Sequence, residues 1–391
     1  MLQSADVEKG PLRIVLFSGG TACRNINIAL CKSPVEITRI VPAWDSGGSS
    51  KVIREAFGML PVGDIRQALM TMAHGESRAG DVVKICNARL SSALGNADAR
   101  SEFDYYVRGE HPLLQRMEAG LRSAILDYLE LFRRHIPEGF DFRNGSIGNF
   151  ILAGAFIAHQ SDINNAVFVF RELCSIDGFV WPVSVGNDIQ LGATLRNGRE
   201  IAGQHLVTSL SDEDAATGIG RIELSATGGG AVVANDAIIP AIAGADAIVF
   251  GPGSFYTSIL PHLLVEGVGE AIAQNRNAPK IFVGNILECA ETTGMYLADV
   301  VDVFLAVWKQ KVGDAAPLTH VVDNRELFPF EKTVGKFRYL RSGALDRLCE
   351  ANAITRISSD FEDAWNRGQH DGRSVAATLL DVAETARAHM R

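Results

Sequence analysis

Several features that mark specialised classes of protein are scarce in this sequence. Six cysteines occur in 391 residues and none forms a CxxC pair, which argues against a disulfide framework and against a zinc site. No stretch approaches the about 20 consecutive apolar residues that a membrane-spanning helix needs. The first residues, MLQSADVEKGPLR, lack the cationic and apolar segments of a secretion signal. We therefore expect reduced thiols and a cytoplasmic location.

Positive charge is also in deficit. Lys and Arg number 37 against 46 Asp and Glu, which gives a formal net charge of −9 at pH 7. Such a chain has no general attraction for nucleic acid or anionic lipid, although a local basic pocket for a small anion stays possible. The apolar fraction of 47% with 21% charged residues is typical of a folded globular chain. The length predicts one large or two medium domains.

Signatures of nucleophilic catalysis are missing as well. The nine histidines form neither an HxxxH nor an HExxH pattern, and no GxSxG motif occurs. Cys23 is predicted near a helix N-terminus, which would lower a thiol pKa, but a buried apolar role is the preferred interpretation. Any enzyme activity is therefore expected to depend on ligand positioning rather than on a protein nucleophile.

Short apolar runs alternate with helical patterns along the chain. The runs are bounded by Gly, Pro or Asn and are rich in Val and Ile, as expected for strands buried on both faces. Their order predicts an α/β fold with a doubly wound, mostly parallel sheet. The predicted strands are LRIVLF (12–17), VEITRIV (35–41), GFVWPVSV (178–185), ADAIVF (245–250), PKIFVG (279–284) and THVVD (319–323).

Three further segments complete the predicted organisation. Residues 50–177 show strong helical periodicity and exceed an ordinary crossover, so they predict a helical excursion. Residues 188–205 contain Asn197-Gly198 between two alternating runs, which predicts a β-hairpin. We expect a main domain over 1–324 and a C-terminal helical extension over 325–391.

The segment FSGGTACRN (17–25) lies where the first predicted strand passes into a helix. It does not fit the GxGxxG pattern of dinucleotide-binding turns, and it lacks the Asp and Ser of an ATP-pyrophosphatase loop. A phosphate cradle and a plain turn stay open, because adjacent glycines let backbone N–H groups approach an anion. The candidate phosphate-binding residues are Gly19, Gly20 and Thr21.

A second glycine-rich loop follows the second predicted strand. Asp45 precedes Gly47, Gly48 and Ser49, a stretch of accessible amides and hydroxyls before a helix. A carboxylate beside a phosphate cradle would repel the ligand unless it holds Mg²⁺ or a sugar hydroxyl. Capping of a turn by Asp45, or of the helix by Ser49, is the alternative interpretation.

Two charged residues follow in PVGDIRQ (61–67). Asp64 is expected to cap a helix that starts at Ile65. Arg66 either reaches a phosphate as a fork or pairs with Asp64.

Two more loops follow later predicted strands, so all four loops should face one crevice at the carboxyl ends of the strands. The segment 249–272 contains an amide-rich bend at Gly251-Pro252-Gly253, and Tyr256 is either a stacking residue for a base or sugar or an ordinary buried tyrosine. The fourth loop, 282–302, begins with Asn285 just past a strand. The candidate ligand-binding residues of these two loops are Gly251, Gly253, Ser254, Tyr256, Thr257, Ser258 and Asn285.

Five blocks of the chain closely resemble the superfamily of 2-phospho-L-lactate transferases (CofD) and the related gluconeogenesis factors (YvcK-like proteins). The resemblance covers roughly residues 12–323, and the loops look more similar to the gluconeogenesis-factor branch. The blocks are SGGTA (18–22), DSGGSSKVIREAFGMLPVGDIRQALMTMA (45–73), GNFILAGAF (148–156), IAGQH (201–205) and GPGSFYTSILPHLLVEGVGEAI (251–272).

This resemblance implies a Rossmann-like fold with a site for a GDP- or UDP-linked ligand, Asp45 as the catalytic or Mg²⁺-binding residue, and Asn149 within the site. The transferase branch moves a phospholactyl group from a guanosine-diphosphate-activated donor to the deazaflavin Fo, on the route to coenzyme F420. The regulatory branch binds UDP-sugars and supports carbon metabolism and cell shape. A transferase is expected here, with the regulator as the alternative. Self-association, and a protein partner at the C-terminal extension, are expected as well.

The chain also departs from the family pattern. Ser18 and Ala22 stand where members have glycine, and Trp44-Asp45-Ser46 lacks the second acid of regulatory members. The region 285–296 lacks the usual proline-containing pattern. We therefore expect a divergent subgroup with its own ligand or partner.

Overall fold

A computed structural model of the chain describes residues 10–20, 23–73, 80–93, 95–226, 228–325 and 333–389. The strands in these ranges are Leu12–Phe17 (β1), Val35–Val41 (β2), Phe179–Pro182 (β3), Gln190–Leu195 (β4), Glu200–Ala202 (β5), Ile219–Ser225 (β6), Ala247–Phe250 (β7), Lys280–Val283 (β8), His320–Asn324 (β9), Thr333–Val334 (β10), Phe337–Arg338 (β11) and Thr355–Ser359 (β12).

The central sheet has seven strands in the order β12-β9-β8-β7-β1-β2-β3, and all neighbours are parallel. Every residue of β7 and of β8 is buried, as expected for strands covered on both faces. The chain runs outward from β1 to β3 on one side and then returns to place β7 on the other side. The order therefore reverses between β1 and β7, where ligands bind in open α/β sheets.

Helices cover the sheet and form the excursion. They are Arg24–Leu30 (α1), Gly48–Phe57 (α2), Gly63–Met72 (α3), Gly80–Asn87 (α4), Asn96–Val107 (α5), Pro112–Arg116 (α6), Ala119–His135 (α7), Ile147–Ala158 (α8), Ile163–Leu173 (α9), Gln204–Thr208 (α10), Asp212–Thr217 (α11), Ile238–Ala243 (α12), Val268–Gln274 (α13), Leu297–Lys311 (α14), Leu345–Ala351 (α15) and Gly372–His389 (α16). Short turns of other helix types span Phe255–Ile259, Leu260–Leu264 and Ala290–Thr292.

The helical excursion, α2 to α9, has its own aromatic centre. On α7 the buried residues Ile125, Leu129 and Phe132 recur at helical spacing. Phe132 stacks on Phe150 of α8 with ring centroids 4.5 Å apart. These contacts make the excursion a packed unit that follows the second loop.

The predicted hairpin is present as β4 and β5, which are antiparallel and join β6 in a second, three-stranded sheet. Gly198 in its turn has φ of +86°, a conformation that glycine adopts without the strain of a side chain.

The predicted C-terminal helical extension is present as α15 and α16, and the described chain beyond residue 325 also contains strands. β12 pairs with β9 at the edge of the central sheet. The helix α16 lies against α1, with Gly372 so close to the backbone of Asn25 that a Cβ has no room. The boundary at residue 325 stays a prediction.

The six predicted strands, the parallel sheet and the helical excursion are confirmed. In the ranges that the structure describes, no helix is long and apolar enough to cross a membrane.

Candidate functional site

The loops after β1 and β7 meet at the reversal point of the sheet. The N–H of Gly251 donates to the carbonyl of Phe17 over 2.8 Å. A Cβ on Gly19 would lie 2.6 Å from both Cβ and Oγ of Ser258, a distance that real Cβ atoms do not show. The loop after β1 (17–25, the first loop) and the loop after β7 (within 249–272, the third loop) therefore pack together, and glycine is required at position 19. Thr21 lies outside the described residues.

The second loop is held by a hydrogen bond within the loop and by contacts with α10. The N–H of Gly47 donates to Asp45 Oδ1 over 3.0 Å. Ser46 Oγ lies 2.8 Å from His205 Nδ1 and accepts from the N–H of His205 over 3.1 Å. Gly48 and Ser49 begin α2. His205 closes the IAGQH block, so two separate blocks of the sequence meet here.

Asp45 and Asp64 form a carboxylate pair beside the first loop. The N–H of Gly20 donates to Asp64 Oδ1 over 3.3 Å, and a Cβ on Gly63 would lie 2.9 Å from Asp45 Oδ2. Burial, and secondly the charge of Asp45, raise the pKa of Asp64 to about 7. The pair is thus a site where a cation would relieve repulsion between two carboxylates.

The expected capping role of Asp64 is wrong. The helix α3 begins at Gly63, so Asp64 is its second residue and lies past the N-cap position. The side chain instead points to the first loop, where it accepts a hydrogen bond from the N–H of Gly20, a residue 44 positions earlier in the chain.

Arg66 lies in a network of amide side chains. Its Nε donates to Asn149 Oδ1 over 2.9 Å, and its Nη1 donates to Asn87 Oδ1 over 3.1 Å. Nη2 donates to Gln67 Oε1 over 3.0 Å. Burial lowers the pKa of Arg66 to about 10. The alternative of an ion pair with Asp64 is therefore not found, and the structure brings Arg66 and Asn149 together on α3 and α8.

The fourth loop supports the third. Asn285 Oδ1 accepts from the N–H of Gly253 over 2.9 Å, and Asn285 Nδ2 donates to the carbonyl of Gly253 over 2.8 Å. Buried Glu291 accepts from the N–H groups of Tyr256 and Thr257, over 2.8 Å and 3.1 Å, and from the Thr257 hydroxyl over 2.6 Å. Asn285 therefore shapes the Gly253 bend, and Glu291 satisfies the backbone donors that follow it.

The side chain of Tyr256 is buried, and burial raises its pKa to about 12. It lines a groove of about 430 Å³ between β6 and α14. The structure thus favours the interpretation of Tyr256 as a largely buried tyrosine.

Arg39, Ser18 and Glu291 were not among the predicted site residues. Arg39 had a visible signal, since it is a charged residue inside the otherwise apolar end of VEITRIV, whose last five residues are all buried. Ser18 had been noted only as a departure from glycine. Nothing in the local sequence distinguishes Glu291 from a solvent-exposed loop acid.

The cysteines match their predicted state. All six are free thiols. Burial raises the pKa of Cys23 to about 11, so its position beside α1 does not make it reactive.

The described residues contain no group of three or more His, Cys, Asp or Glu side chains suited to a metal. Two carboxylates nevertheless suit Mg²⁺, which usually keeps several waters and takes one or two carboxylates plus ligand phosphates. Asp45 and Asp64 are therefore the residues that could hold Mg²⁺, and the pKa of Asp64 is raised mainly by its burial and secondly by the charge of Asp45.

Fold and site together define a doubly wound α/β protein with glycine loops and a carboxylate pair at the reversal point of its sheet, where the sequence predicts the ligand crevice. Comparison with known proteins identifies the family. The sequence model of the family described as 2-phospho-L-lactate transferase CofD matches residues 14–354. The chain belongs to the CofD family.

Individual relatives agree with this assignment. A gluconeogenesis factor from Listeria monocytogenes is 28% identical over 373 residues, which is 94% of each chain. A protein of Nostoc sp., whose name also refers to a gluconeogenesis factor, is 30% identical over 379 residues, covering 95% of this chain and 68% of that protein. A crystal structure from Bacillus halodurans, of a member of the UPF0052 family, has a TM-score of 0.68 at 24% identity and covers 95% of this chain and 99% of its own.

Proposed function

We propose that the crevice between β1 and β7 binds a nucleoside-diphosphate-linked ligand with Mg²⁺, and that the protein transfers a phosphorus-containing group to an acceptor hydroxyl. The observation that carries this proposal is the Asp45–Asp64 pair, with Asp64 on the N–H of Gly20. Asp64 already accepts from a backbone donor that suits a phosphate oxygen. A diphosphate with Mg²⁺ would satisfy both the N–H groups and the carboxylates.

Each loop has a role in this proposal. The N–H groups of the first and third loops would neutralise the diphosphate, because oriented backbone donors stabilise charge without reorganising. Asn285 and Glu291 hold the third loop in shape. When bound to Asp45 and Asp64, Mg²⁺ would supply charge stabilisation for the leaving nucleotide.

The proposed transfer needs no protein nucleophile. The oxygen of the acceptor hydroxyl would form a bond to phosphorus, and its proton would pass to water. The bond from that phosphorus to the bridging oxygen of the diphosphate would break, and the nucleoside monophosphate would leave with the electron pair. Positioning and charge stabilisation carry most of such a reaction, which agrees with the absence of nucleophile motifs.

The first test is a calorimetric titration with GDP, UDP and UDP-N-acetylglucosamine, with and without Mg²⁺. Binding of at least one nucleotide, strengthened by Mg²⁺, is expected. Candidate donors and acceptors, including the lactyl ester of guanosine diphosphate with deazaflavin Fo, are then followed by mass analysis. Failure of every nucleotide to bind would overturn the proposal.

The second test uses Asp45→Asn, with Asp98→Asn on the exposed face of α5 as a control of equal charge change. Asp45→Asn should abolish turnover, while nucleotide affinity measured without Mg²⁺ stays largely unchanged. The control should keep both. Turnover that survives in Asp45→Asn contradicts the mechanism.

A second candidate is a regulator that binds a UDP-sugar without consuming it. The names of the relatives favour it, since those from Listeria monocytogenes and Bacillus subtilis are called gluconeogenesis factors. Such a protein would bind UDP-N-acetylglucosamine, leave it intact, and change its self-association or its affinity for a protein partner at residues 325–391. Intact ligand after long incubation, with ligand-dependent partner binding, would favour this candidate over transfer. A cytoplasmic location is part of both candidates.

A further inference from the structure

Arg39 is a buried cation directly behind the first loop. It lies on β2, an inner strand of the sheet, and its exposed fraction is 0%. Its Nε and Nη2 donate to Ser18 Oγ over 3.2 Å and 2.7 Å. Its Nη1 donates to Thr71 Oγ1 over 2.7 Å. Ser18 immediately precedes Gly19 and Gly20, so the guanidinium is bound to the base of that loop.

The partners of Arg39 are uncharged. Besides the two hydroxyls, the hydrogen-bond acceptor of the guanidinium in the described part of the chain is the carbonyl of Ala68, at 3.5 Å. No carboxylate among the described residues forms an ion pair with it. Burial lowers the pKa of Arg39, and the nearby Cys23, Cys31 and Asp64 oppose this effect. The guanidinium charge is therefore hydrogen-bonded but not neutralised.

Such a charge is costly in a folded protein. Burial of a cation without a counter-ion removes hydration that hydroxyl and carbonyl partners replace incompletely. An apolar side chain of similar length would avoid this cost on β2, where Ile37 and Val41, on the same face of the strand, are apolar and buried. Arginine at this position would therefore be explained by a role in ligand binding and not by a contribution to the stability of the ligand-free protein.

The position of Arg39 suggests that this role is the attraction of an anionic ligand. The guanidinium charge lies on the protein side of the first loop, while the acidic residues Asp45 and Asp64 lie beside that loop. With Mg²⁺ on the carboxylates, the remaining attraction for an anion comes from backbone N–H groups and from Arg39. In a buried site of low dielectric, one such charge acts over several ångströms.

We propose that Arg39, through Ser18, is a positioning residue that holds the first loop and supplies a buried positive charge, without an ion-pair partner, that favours the diphosphate group of the ligand. This inference rests on the proposed function, since it takes the ligand of the crevice to be a diphosphate. Ser18, which departs from the family's glycine, then has a definite role as the acceptor that joins the guanidinium to the loop.

The test compares ligands that differ in phosphate charge. Dissociation constants of UDP and UMP, and of GDP and GMP, are measured by calorimetry at low salt for the wild type, Arg39→Met and Arg39→Lys. Arg108→Met is the matched control, because it removes the same charge from an exposed position. The decisive quantity is the affinity for the diphosphate relative to the monophosphate.

Arg39→Met should weaken binding of the diphosphate roughly tenfold and of the monophosphate roughly threefold. Arg39→Lys retains the charge and should keep the affinity ratio within about twofold of the wild type. Arg108→Met should keep both affinities. The melting temperature of ligand-free Arg39→Met should stay close to that of the wild type or rise, because the variant loses an uncompensated buried charge.

The outcomes separate the two proposals. If the wild type binds neither UDP nor GDP, the proposed function fails and this inference fails with it. If the wild type binds and Arg39→Met keeps the affinity ratio, the proposed function stands and the role of Arg39 is overturned. If Arg39→Met does not fold, Arg39→Gln, which removes the charge but keeps a hydrogen-bond donor, decides: a ratio reduced about threefold or more supports the proposal, and a retained ratio overturns it.

Discussion

The indole Nε1 of Trp44 donates a hydrogen bond of 2.7 Å to the carbonyl of Thr257. Trp44 is fully buried and directly precedes Asp45, while Thr257 lies in the third loop and also donates to Glu291. The bond crosses the reversal point of the sheet and connects residues 213 positions apart. It fixes the carboxylate-bearing loop relative to the loop after β7.

We therefore predict that Trp44→Phe loosens the crevice. The variant leaves the Thr257 carbonyl without its partner, which should lower the free energy of unfolding by about 1–3 kcal/mol. The dissociation constant for the bound nucleotide should rise about fivefold, which is about 1 kcal/mol. Urea unfolding and calorimetry measure the two effects.

The control for this variant is Trp308→Phe. Trp308 lies on α14 and is equally buried, and its Nε1 donates over 2.7 Å to the carbonyl of Ala315, which follows that helix. Trp308→Phe should lower the free energy of unfolding about as much as Trp44→Phe does, and it should keep the nucleotide affinity of the wild type. Equal loss of affinity in both variants would show that the Trp44 bond has no specific role in the crevice.

A second prediction concerns Gly19→Ala. The new Cβ would lie 2.6 Å from Cβ of Ser258, so the first and third loops must separate, at a cost of about 1–3 kcal/mol. Ser258→Gly in the same chain should restore much of this loss, because it removes the clashing atoms. Gly80→Ala, where nothing lies within 4 Å of the new Cβ, serves as a control and should be close to neutral. A double variant no more stable than Gly19→Ala would contradict the contact.

The third prediction is the pH dependence that Glu291 causes. Burial raises the pKa of Glu291 to about 7 from 4.5. The folded protein thus holds a proton that the unfolded chain releases near pH 4.5. The stability from Glu291 is fully present below pH 4.5 and is lost as pH rises to 7, by about 3 kcal/mol.

Glu291→Gln should abolish this component. Its carbonyl oxygen can accept from the N–H groups of Tyr256 and Thr257, so the variant should be more stable than the wild type at pH 8 and similar to it at pH 4.5. Urea midpoints at both values measure the difference, with Glu350→Gln, exposed on α15, as the control. A difference between variant and wild type that is the same at both pH values would refute the assignment.

The fourth prediction concerns acid and the C-terminal extension. His370 Nε2 donates to the carbonyl of Gly284 over 3.0 Å, and Asn25 Nδ2 donates to the carbonyl of His370 over 3.2 Å. Burial lowers the pKa of His370 to about 4 from 6.5. The stability that uncharged His370 contributes to the folded protein is fully present above pH 6.5. This contribution, about 3 kcal/mol, is lost as the pH falls to 4.

His370→Gln keeps a donor for Gly284 and cannot become charged. It should be less sensitive to acid than the wild type between pH 6.5 and 4, as measured by thermal unfolding. The matched control is His135→Gln, since His135 is exposed at the end of α7, and its acid sensitivity should equal that of the wild type. Parallel curves for all three proteins would rule out a role for His370.

Much of the fold was predictable because its signals are local. Strands buried on both faces appear as apolar runs, and each of the six runs became a strand of the central sheet. β12 was missed because the edge strand TRISS is only half buried and its residues are mostly polar. The helix cap at Asp64 was misassigned because local spacing cannot show which distant N–H a carboxylate will reach.

The sequence by itself determined the alternation of strands and helices and the glycine loops at the carboxyl ends of the strands, because backbone conformation and burial depend on residues close in the chain. Only the tertiary structure decided that Asp64 turns to Gly20, that Arg39 lies behind Ser18, and that Trp44 reaches Thr257. These contacts follow from the strand order that places β1 between β2 and β7. Side chains distant in the chain then meet at one edge of the sheet, where packing and unsatisfied backbone groups select their partners.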